Sequence, residues 1–144
     1  MAVFTSWENS PILNREWDDD VREIVREIEG NFPVHCYTYV GHGYPGGKPW
    51  SLDVAISPLG VKANSEQEAL GDSIQAFVEA NIRRWQIYYI IYWNWMRYST
   101  GWWFSYEQYA DRFGAGGGGN YWTRRHFDHL HITIRQGYEY VPPA

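Results

Sequence analysis

The sequence predicts an α+β fold, in which a small and mainly antiparallel β-sheet has helices packed on one face. Two segments of the chain have helical hydrophobic periodicity, and at least three others have the apolar pattern of β-strands. These segments do not alternate regularly as strand and helix, which argues against a parallel α/β arrangement.

Two segments have the apolar spacing of amphipathic helices. In Val21–Ile28 the apolar residues fall at i, i+3, i+4 and i+7, and the acidic run Asp18–Asp20 precedes them at the positive end of the predicted helix. Consecutive helical residues point in different directions, so this run is interpreted as capping and not as a metal site. We expect the first helix to stop at Gly30. The second helix is predicted to start at Asn64 or Ser65 and to continue to Trp85.

The predicted strands differ in how they distribute their apolar residues. Leu52–Ile56 and Leu130–Ile134 alternate, so each presents one apolar face and one polar face. Gln86–Trp93 is apolar on both faces, which is typical of a central strand covered on two sides. Pro33–Val40, rich in Tyr, Val and Thr, is predicted to be a further strand.

Composition and charge limit the classes of function. The chain has 144 residues, of which 44% are hydrophobic and 20% charged, and this fits a single domain over residues 1–144. The formal net charge of -5 provides no cationic field for phosphate groups and argues against nucleic acid as a partner. The most apolar run, Trp85–Met96, is shorter than the roughly 20 residues of a membrane-spanning helix, so no membrane span is predicted.

Three local features receive structural interpretations. The single cysteine, Cys36, excludes an intrachain disulfide and is interpreted as a small buried hydrophobe. The first residues lack the basic and apolar segments of a secretion signal, so we expect synthesis in the cytoplasm. The glycine-rich stretch Phe113–Asn120 predicts a flexible loop, and no Lys-Ser/Thr pair follows it as in a phosphate-binding loop. The aromatic content of 19% is high, and core packing explains most of it.

Histidines and carboxylates form the most specific pattern in the sequence. His129 and His131 project from the same face of their strand, opposite the apolar face that Leu130 and Ile132 define. The same parity places Asp53 on the face of its strand that is turned away from the core. If the two strands pair, these three side chains share one surface of the sheet.

This pattern indicates a zinc site. Catalytic zinc takes three protein ligands from His, Asp or Glu. Asp53 and His131 are two such ligands, and His42 is the natural third because it lies in a Gly- and Pro-rich loop leading to Asp53. His35 is the alternative to His42, although a structural role suits it better. A surface or partner-binding role for the histidine pair is the competing interpretation.

The same residues resemble a known superfamily of zinc peptidases. The block HFDHLHI and the earlier His42 with SLDVAI are similar to motifs of D-alanyl-D-alanine carboxypeptidases, L-alanyl-D-glutamate endolysins and the hedgehog zinc fold. The resemblance spans about Tyr39 to Arg135. It implies that His42, Asp53 and His131 hold Zn²⁺. It also implies that Asp128 is the general base and that His129 stabilises the oxyanion or orients a ligand.

The resemblance also implies a substrate class. We expect a zinc-dependent hydrolase that cleaves an amide bond in peptidoglycan stem peptides, acting on the cell wall after release or export. Ten residues separate His42 from Asp53, where the family usually has six, so the loop between them is expanded. The family's usual Arg before the first His is absent, which leaves Lys48, Arg124, Arg125 or hydroxyl groups to recognise a substrate carboxylate.

Two other classes of protein share these features. One is a zinc-binding interaction domain or phage structural component without catalysis, which would retain zinc but hydrolyse no stem peptide. The other is a metal-free carbohydrate-binding domain that uses its Trp and Tyr side chains.

Overall fold

A computed structural model of the chain describes residues 4–10, 13–39, 50–113 and 120–134. The elements within these ranges follow in the order α1 (Thr5–Glu8), β1 (Leu13–Asn14), α2 (Asp19–Asn31), β2 (Cys36–Tyr39), β3 (Ser51–Ala55), α3 (Ser65–Ala80), β4 (Ile87–Tyr92), β5 (Trp95–Tyr98), β6 (Phe104–Ser105), α4 (Tyr106–Phe113), α5 (Tyr121–Arg124) and β7 (His129–Ile134).

The described strands form an open sheet in the order β1-β2-β3-β7-β4-β5-β6, and each neighbouring pair is antiparallel. The last described strand, β7, therefore lies at the centre, between β3 and β4. This arrangement of an antiparallel sheet with helices confirms the predicted α+β class.

The main core lies between the sheet and the two longest helices, α2 and α3. Both helices begin as their sequences predict: Asp18 caps α2 by accepting a hydrogen bond from the Asp20 N–H, and Asn64 forms a capping box with Gln67 at the start of α3. Their apolar faces meet the alternate apolar residues of β3, β4 and β7. Burial of these facing surfaces is the main contribution to the stability of the layer.

The ends of both helices differ from the prediction. The residue expected to stop α2, Gly30, lies inside its last turn, and the helix continues to Asn31. The helix α3 ends at Ala80, short of the predicted Trp85. The chain turns at residues 81–86 and still brings Trp85 into the main core. The apolar periodicity therefore predicted the burial of Trp85 correctly but predicted too long a helix.

The strand predictions are confirmed for β3, β4 and β7, and the predicted Pro33–Val40 strand contains β2. As predicted, β4 is apolar on both faces: Ile87 and Ile90 enter the main core, while Ile91 belongs to a separate cluster on the opposite face. The pairing of β4 with β7 has a register shift between Ile87 and Tyr89.

The second face of the sheet is also covered, which the sequence did not predict. The short helix α1 places Trp7 in a cluster with Tyr37 and Ala55. Elsewhere on this second face, α4 contributes Tyr106 to a cluster with Ile91. Helices therefore lie on both faces, with the two longest on the main-core side.

No helix in the described part of the chain is long and apolar enough to cross a membrane. The predicted glycine-rich loop lies mainly outside the described residues. The same is true of His42, Lys48 and the rest of the loop at residues 40–49.

The packing of α3 on the sheet predicts opposite effects of alanine at two helical glycines. A Cβ atom at Gly71 would lie 2.8 Å from Tyr92 Cζ and 2.9 Å from Ile56 Cδ1, whereas one at Gly30 would meet no atom within 4 Å. We expect Gly71→Ala to lower the free energy of unfolding by about 1–3 kcal/mol. We expect Gly30→Ala to leave it unchanged or raise it by up to about 1 kcal/mol. Urea unfolding of both variants measures the difference, and equal effects would contradict the packing described.

Candidate functional site

The candidate site is built on the pairing of β3 with β7. Asp53 lies directly opposite His131, and Ala55 lies opposite His129. The alternation of each strand sends Leu52, Val54, Leu130 and Ile132 into the main core. Asp53, His129 and His131 consequently share the second face, as the sequence predicted. They are buried there, with exposed fractions of 1%, 2% and 5%.

A chain of hydrogen bonds extends from Asp53 along this face. His131 donates from Nδ1 to Asp53 Oδ1 at 3.0 Å, because the carboxylate can only accept. The other ring nitrogen of His131 is 2.8 Å from Thr133 Oγ1, and that hydroxyl is 2.8 Å from Ser51 Oγ across the strand pair. Both nitrogens of His131 are therefore held, and the orientation of its ring is fixed.

Asp128 is held by groups from three parts of the chain. Its Oδ1 accepts a hydrogen bond from His129 Nδ1 at 2.6 Å, and its Oδ2 accepts from the Gly60 N–H at 2.8 Å and the Thr123 hydroxyl at 2.5 Å. Gly60 has a φ of 83°, a left-handed conformation that glycine adopts without strain. The Asp128 carboxylate is fully buried. Both of its oxygens therefore serve to orient neighbouring groups, His129 in particular.

His126 also belongs to the cluster. Its side chain is buried, and its ring centroid lies 4.5 Å from that of His129 and 5.8 Å from that of His131. Its φ of 62° is unusual for a residue with a side chain. A hydrogen bond of 2.8 Å from the Trp93 N–H to the His126 carbonyl holds this turn in place.

Aromatic side chains enclose the cluster. Trp7 packs edge-on against His129 at a centroid distance of 5.4 Å, and its Nε1–H donates to the Ser57 carbonyl. Tyr89 stacks on His131 at 5.6 Å with nearly parallel rings, and Tyr106 packs against His126. Strand parity could have indicated Tyr89, which lies on β4. It could not have indicated Trp7 or Tyr106, because α1 and α4 reach the site through tertiary packing.

The other candidate residues have different surroundings. His35 Nδ1 is 2.8 Å from Arg15 Nη1, and that guanidinium also forms an ion pair of 2.6 Å with Glu29. Cys36 is buried in the main core, and burial, assisted by the charge of Glu29, raises the pKa of its thiol, which supports the structural interpretation. The guanidinium of Arg125, a candidate for carboxylate recognition, lies within 3.8 Å of Glu107 and 3.7 Å of Asp111.

The distances around Asp53 suit metal ligation in part. Within the described ranges, no three His, Cys, Asp or Glu side chains are already arranged as a metal-binding group. In a tetrahedral zinc site, ligand atoms about 2.1 Å from the ion lie about 3.4 Å from one another. Asp53 Oδ1 is 3.0 Å from His131 Nδ1 and 3.6 Å from His129 Nε2. The Asp53–His129 distance is the nearer of the two to this value, and the shorter Asp53–His131 distance is that of the hydrogen bond described above.

The electrostatics of the cluster raise the pKa of His129. Burial has the largest effect and lowers the pKa of His129. The charge of Asp53, followed by the hydrogen bond and the charge of Asp128, raises it. The balance places the pKa of His129 above the ordinary value for histidine.

Comparison with known protein families gives a match. The family model described as VldE, C-terminal domain matches residues 13–117. The chain belongs to this family. No curated protein and no solved structure is significantly similar to the chain. The part matched by the family model includes Asp53 and ends before the Asp128–His131 segment.

The pKa of His129 predicts a pH dependence of stability for the metal-free protein. Because the folded-state pKa exceeds the unfolded value of about 6.5, the stabilisation is fully present below about pH 6.5 and is lost as the pH rises through the folded-state pKa. Replacing Asp53 by Asn removes the largest effect that raises the pKa of His129, so this loss should diminish. Urea unfolding across pH, with an NMR titration of His129, measures both effects.

Asp20→Asn is the matched control for this experiment, because it removes the same charge at an exposed position in the first turn of α2. Its pH profile should follow that of the unmodified protein. Identical profiles for Asp53→Asn and the unmodified protein would contradict the assigned electrostatics.

Proposed function

We propose that this domain is a zinc-dependent hydrolase that cleaves an amide bond in peptidoglycan stem peptides. The observation that carries the proposal is the placement of Asp53 opposite His131 on adjacent strands, with 3.0 Å between Oδ1 and Nδ1. The resemblance of the HFDHLHI and SLDVAI motifs to zinc peptidases supports the choice of metal and of substrate class.

The proposed ligands are Asp53, His131 and His42. Two features support the first pair: their placement opposite each other on adjacent strands, and the contact of His131 Nε2 with Thr133 Oγ1. A second hydrogen bond of this kind commonly orients a metal-ligating histidine. His42 is proposed from the resemblance, and it lies outside the described residues. His129 Nε2, 3.6 Å from Asp53 Oδ1, is the competing third ligand. Zinc in such a site supplies Lewis-acid polarisation of a carbonyl and lowers the pKa of water.

Asp128 and His129 are proposed to handle the proton. The resemblance assigns the base role to Asp128, whose carboxylate accepts hydrogen bonds from Gly60, Thr123 and His129. We therefore propose that Asp128 acts through the imidazole. It holds His129 by Nδ1, and His129 Nε2 takes the proton from the attacking water and returns it to the leaving amine.

The burial of the cluster favours a second candidate function. His131, His129 and Asp53 are each no more than 5% exposed, whereas a catalytic site must admit its substrate. A zinc-binding interaction domain without catalysis requires no such access. Zinc retained at full stoichiometry with no hydrolysis of stem peptides would select this candidate.

Metal content tests the ligand set. We expect Asp53→Ala, His131→Ala and His42→Ala each to abolish stoichiometric zinc and to lower the thermal midpoint, because binding to the native state stabilises it. His35→Ala is the control, since this histidine contacts Arg15, and it should retain zinc. Elemental analysis after dialysis against zinc-containing buffer gives the stoichiometry.

If His129→Ala loses zinc and His42→Ala retains it, the third ligand is His129 and not His42. Retention of full zinc by His131→Ala would overturn the metal site itself.

Asp128→Asn separates proton transfer from metal binding. The variant should keep its zinc, because Asp128 is not a proposed ligand, and should lose about 10²-fold or more in hydrolysis rate. The rate is followed by mass spectrometry of stem peptides that contain L-alanyl-D-glutamate and D-alanyl-D-alanine bonds. If zinc and activity disappear together, the carboxylate is a ligand, and the proposed division of roles is wrong.

A further inference from the structure

A cavity of about 370 Å³ lies between α3, the β4–β5 hairpin and the chain just before β6. Its aromatic lining includes three tryptophans, and the polar part of its lining comes from one face of α3. Of the described candidate site residues, neither the Asp53 and His131 side chains nor the Asp128–His129 pair lines it. This cavity is therefore a separate site from the one described above.

The tryptophan walls suit a positively charged group. Trp93, Trp95 and Trp103 line the cavity, and half of the Trp95 surface is exposed. The electron-rich face of an indole attracts a cation within about 6 Å of the ring. The chain already contains such a contact, because Lys62 Nζ lies 5.5 Å from the ring centroid of Trp93. Trp93 thus already contacts an ammonium group of the chain, together with Trp122 and Phe127, which do not line the cavity.

The helical wall carries two carboxylates. Glu68 and Asp72 lie one turn apart on α3, and within the described ranges neither carboxylate has a basic group at ion-pair distance. Asp72 accepts a hydrogen bond of 3.1 Å from the neutral Tyr92 hydroxyl. Farther along α3, Glu79 differs because Arg97 neutralises it at 2.6 Å.

We propose that this cavity binds a small organic cation with a methylated ammonium head. The methyl groups would contact the indole faces, and the positive charge would face Glu68 and Asp72. Such a head is permanently charged, and aromatic cages are a known means of recognising it. A neutral sugar would use the aromatic walls but would leave the two carboxylates without a counter-charge. The proposal is independent of zinc binding and catalysis.

The test compares choline with its neutral isostere 3,3-dimethylbutan-1-ol, in which carbon replaces the charged nitrogen. Titration calorimetry and tryptophan fluorescence should give saturable choline binding, with the isostere at least about tenfold weaker. Added salt should weaken the binding of choline, because the carboxylates lie near solvent.

Variants with matched controls localise the binding. Glu68→Gln and Asp72→Asn each remove one charge, and Trp95→Ala removes one aromatic wall; we expect each to weaken choline binding several-fold. Glu66→Gln and Trp102→Ala are the controls. Both control residues are exposed and lie outside the lining of the cavity, Glu66 in the first turn of α3 and Trp102 with 92% of its surface exposed. Thermal unfolding of every variant first confirms that it is folded.

The possible results separate clearly. Choline binding that the cavity variants weaken and the controls preserve supports the proposal. Absence of choline binding, equal binding of the neutral isostere, or equal loss in the controls overturns it. Saturable binding of chitobiose without binding of choline would assign the cavity to a carbohydrate and overturn it as well.

Discussion

The site and the sheet both depend on the burial of the Asp53 carboxylate opposite His131. A carboxylate removed from water is tolerated when charged or hydrogen-bonding groups surround it, and two imidazoles lie within 3.6 Å of Asp53 Oδ1. The register that creates this contact also sends Leu52 and Leu130 into the main core. The polar cluster and the hydrophobic layer therefore require the same strand pairing.

The elements that cover the histidine–carboxylate cluster on β3 and β7 fix the positions of its side chains. The loop after β3 surrounds Asp128: its Ile56 N–H donates to the Asp128 carbonyl, and its Gly60 N–H donates to the carboxylate. Trp7 anchors α1 to the same loop through the Ser57 carbonyl. These contacts join segments that are far apart in sequence, so the geometry of His129 depends on much of the fold.

Strand parity explains how much of this site the sequence could predict. Alternation in Leu52–Ile56 and Leu130–Ile134 was sufficient to place Asp53, His129 and His131 on one face, because parity is a local property of extended chain. It could not predict that this face is covered. That result depends on α1 and on α4, whose packing is determined by tertiary contacts.

The limits of helix prediction have a similar origin. Apolar periodicity extends through Ile82 and Trp85, yet α3 ends at Ala80, and Gln86 adopts a φ of 53° just before β4. A turn can bury the same side chains as another helical turn, so burial alone does not determine where the helix ends. The hydrogen bonds that Gly60 and Thr123 donate to the Asp128 carboxylate could not be predicted either. Both residues reach that carboxylate only after the chain has folded.

The tight turn between β4 and β5 limits the alternative pairings open to the sheet. Trp93 and Asn94 both have positive φ values, 54° and 61°, and their N–H groups donate to the carbonyls of His126 and Arg125. Two turns are thereby joined back to back beside the first residue of β7. If the pairing of β7 with its neighbours shifted by one residue, its histidine side chains would enter the core in place of its leucine and isoleucine side chains. These two hydrogen bonds resist such a slip, so the strained hairpin also protects the chain against misregistered folding.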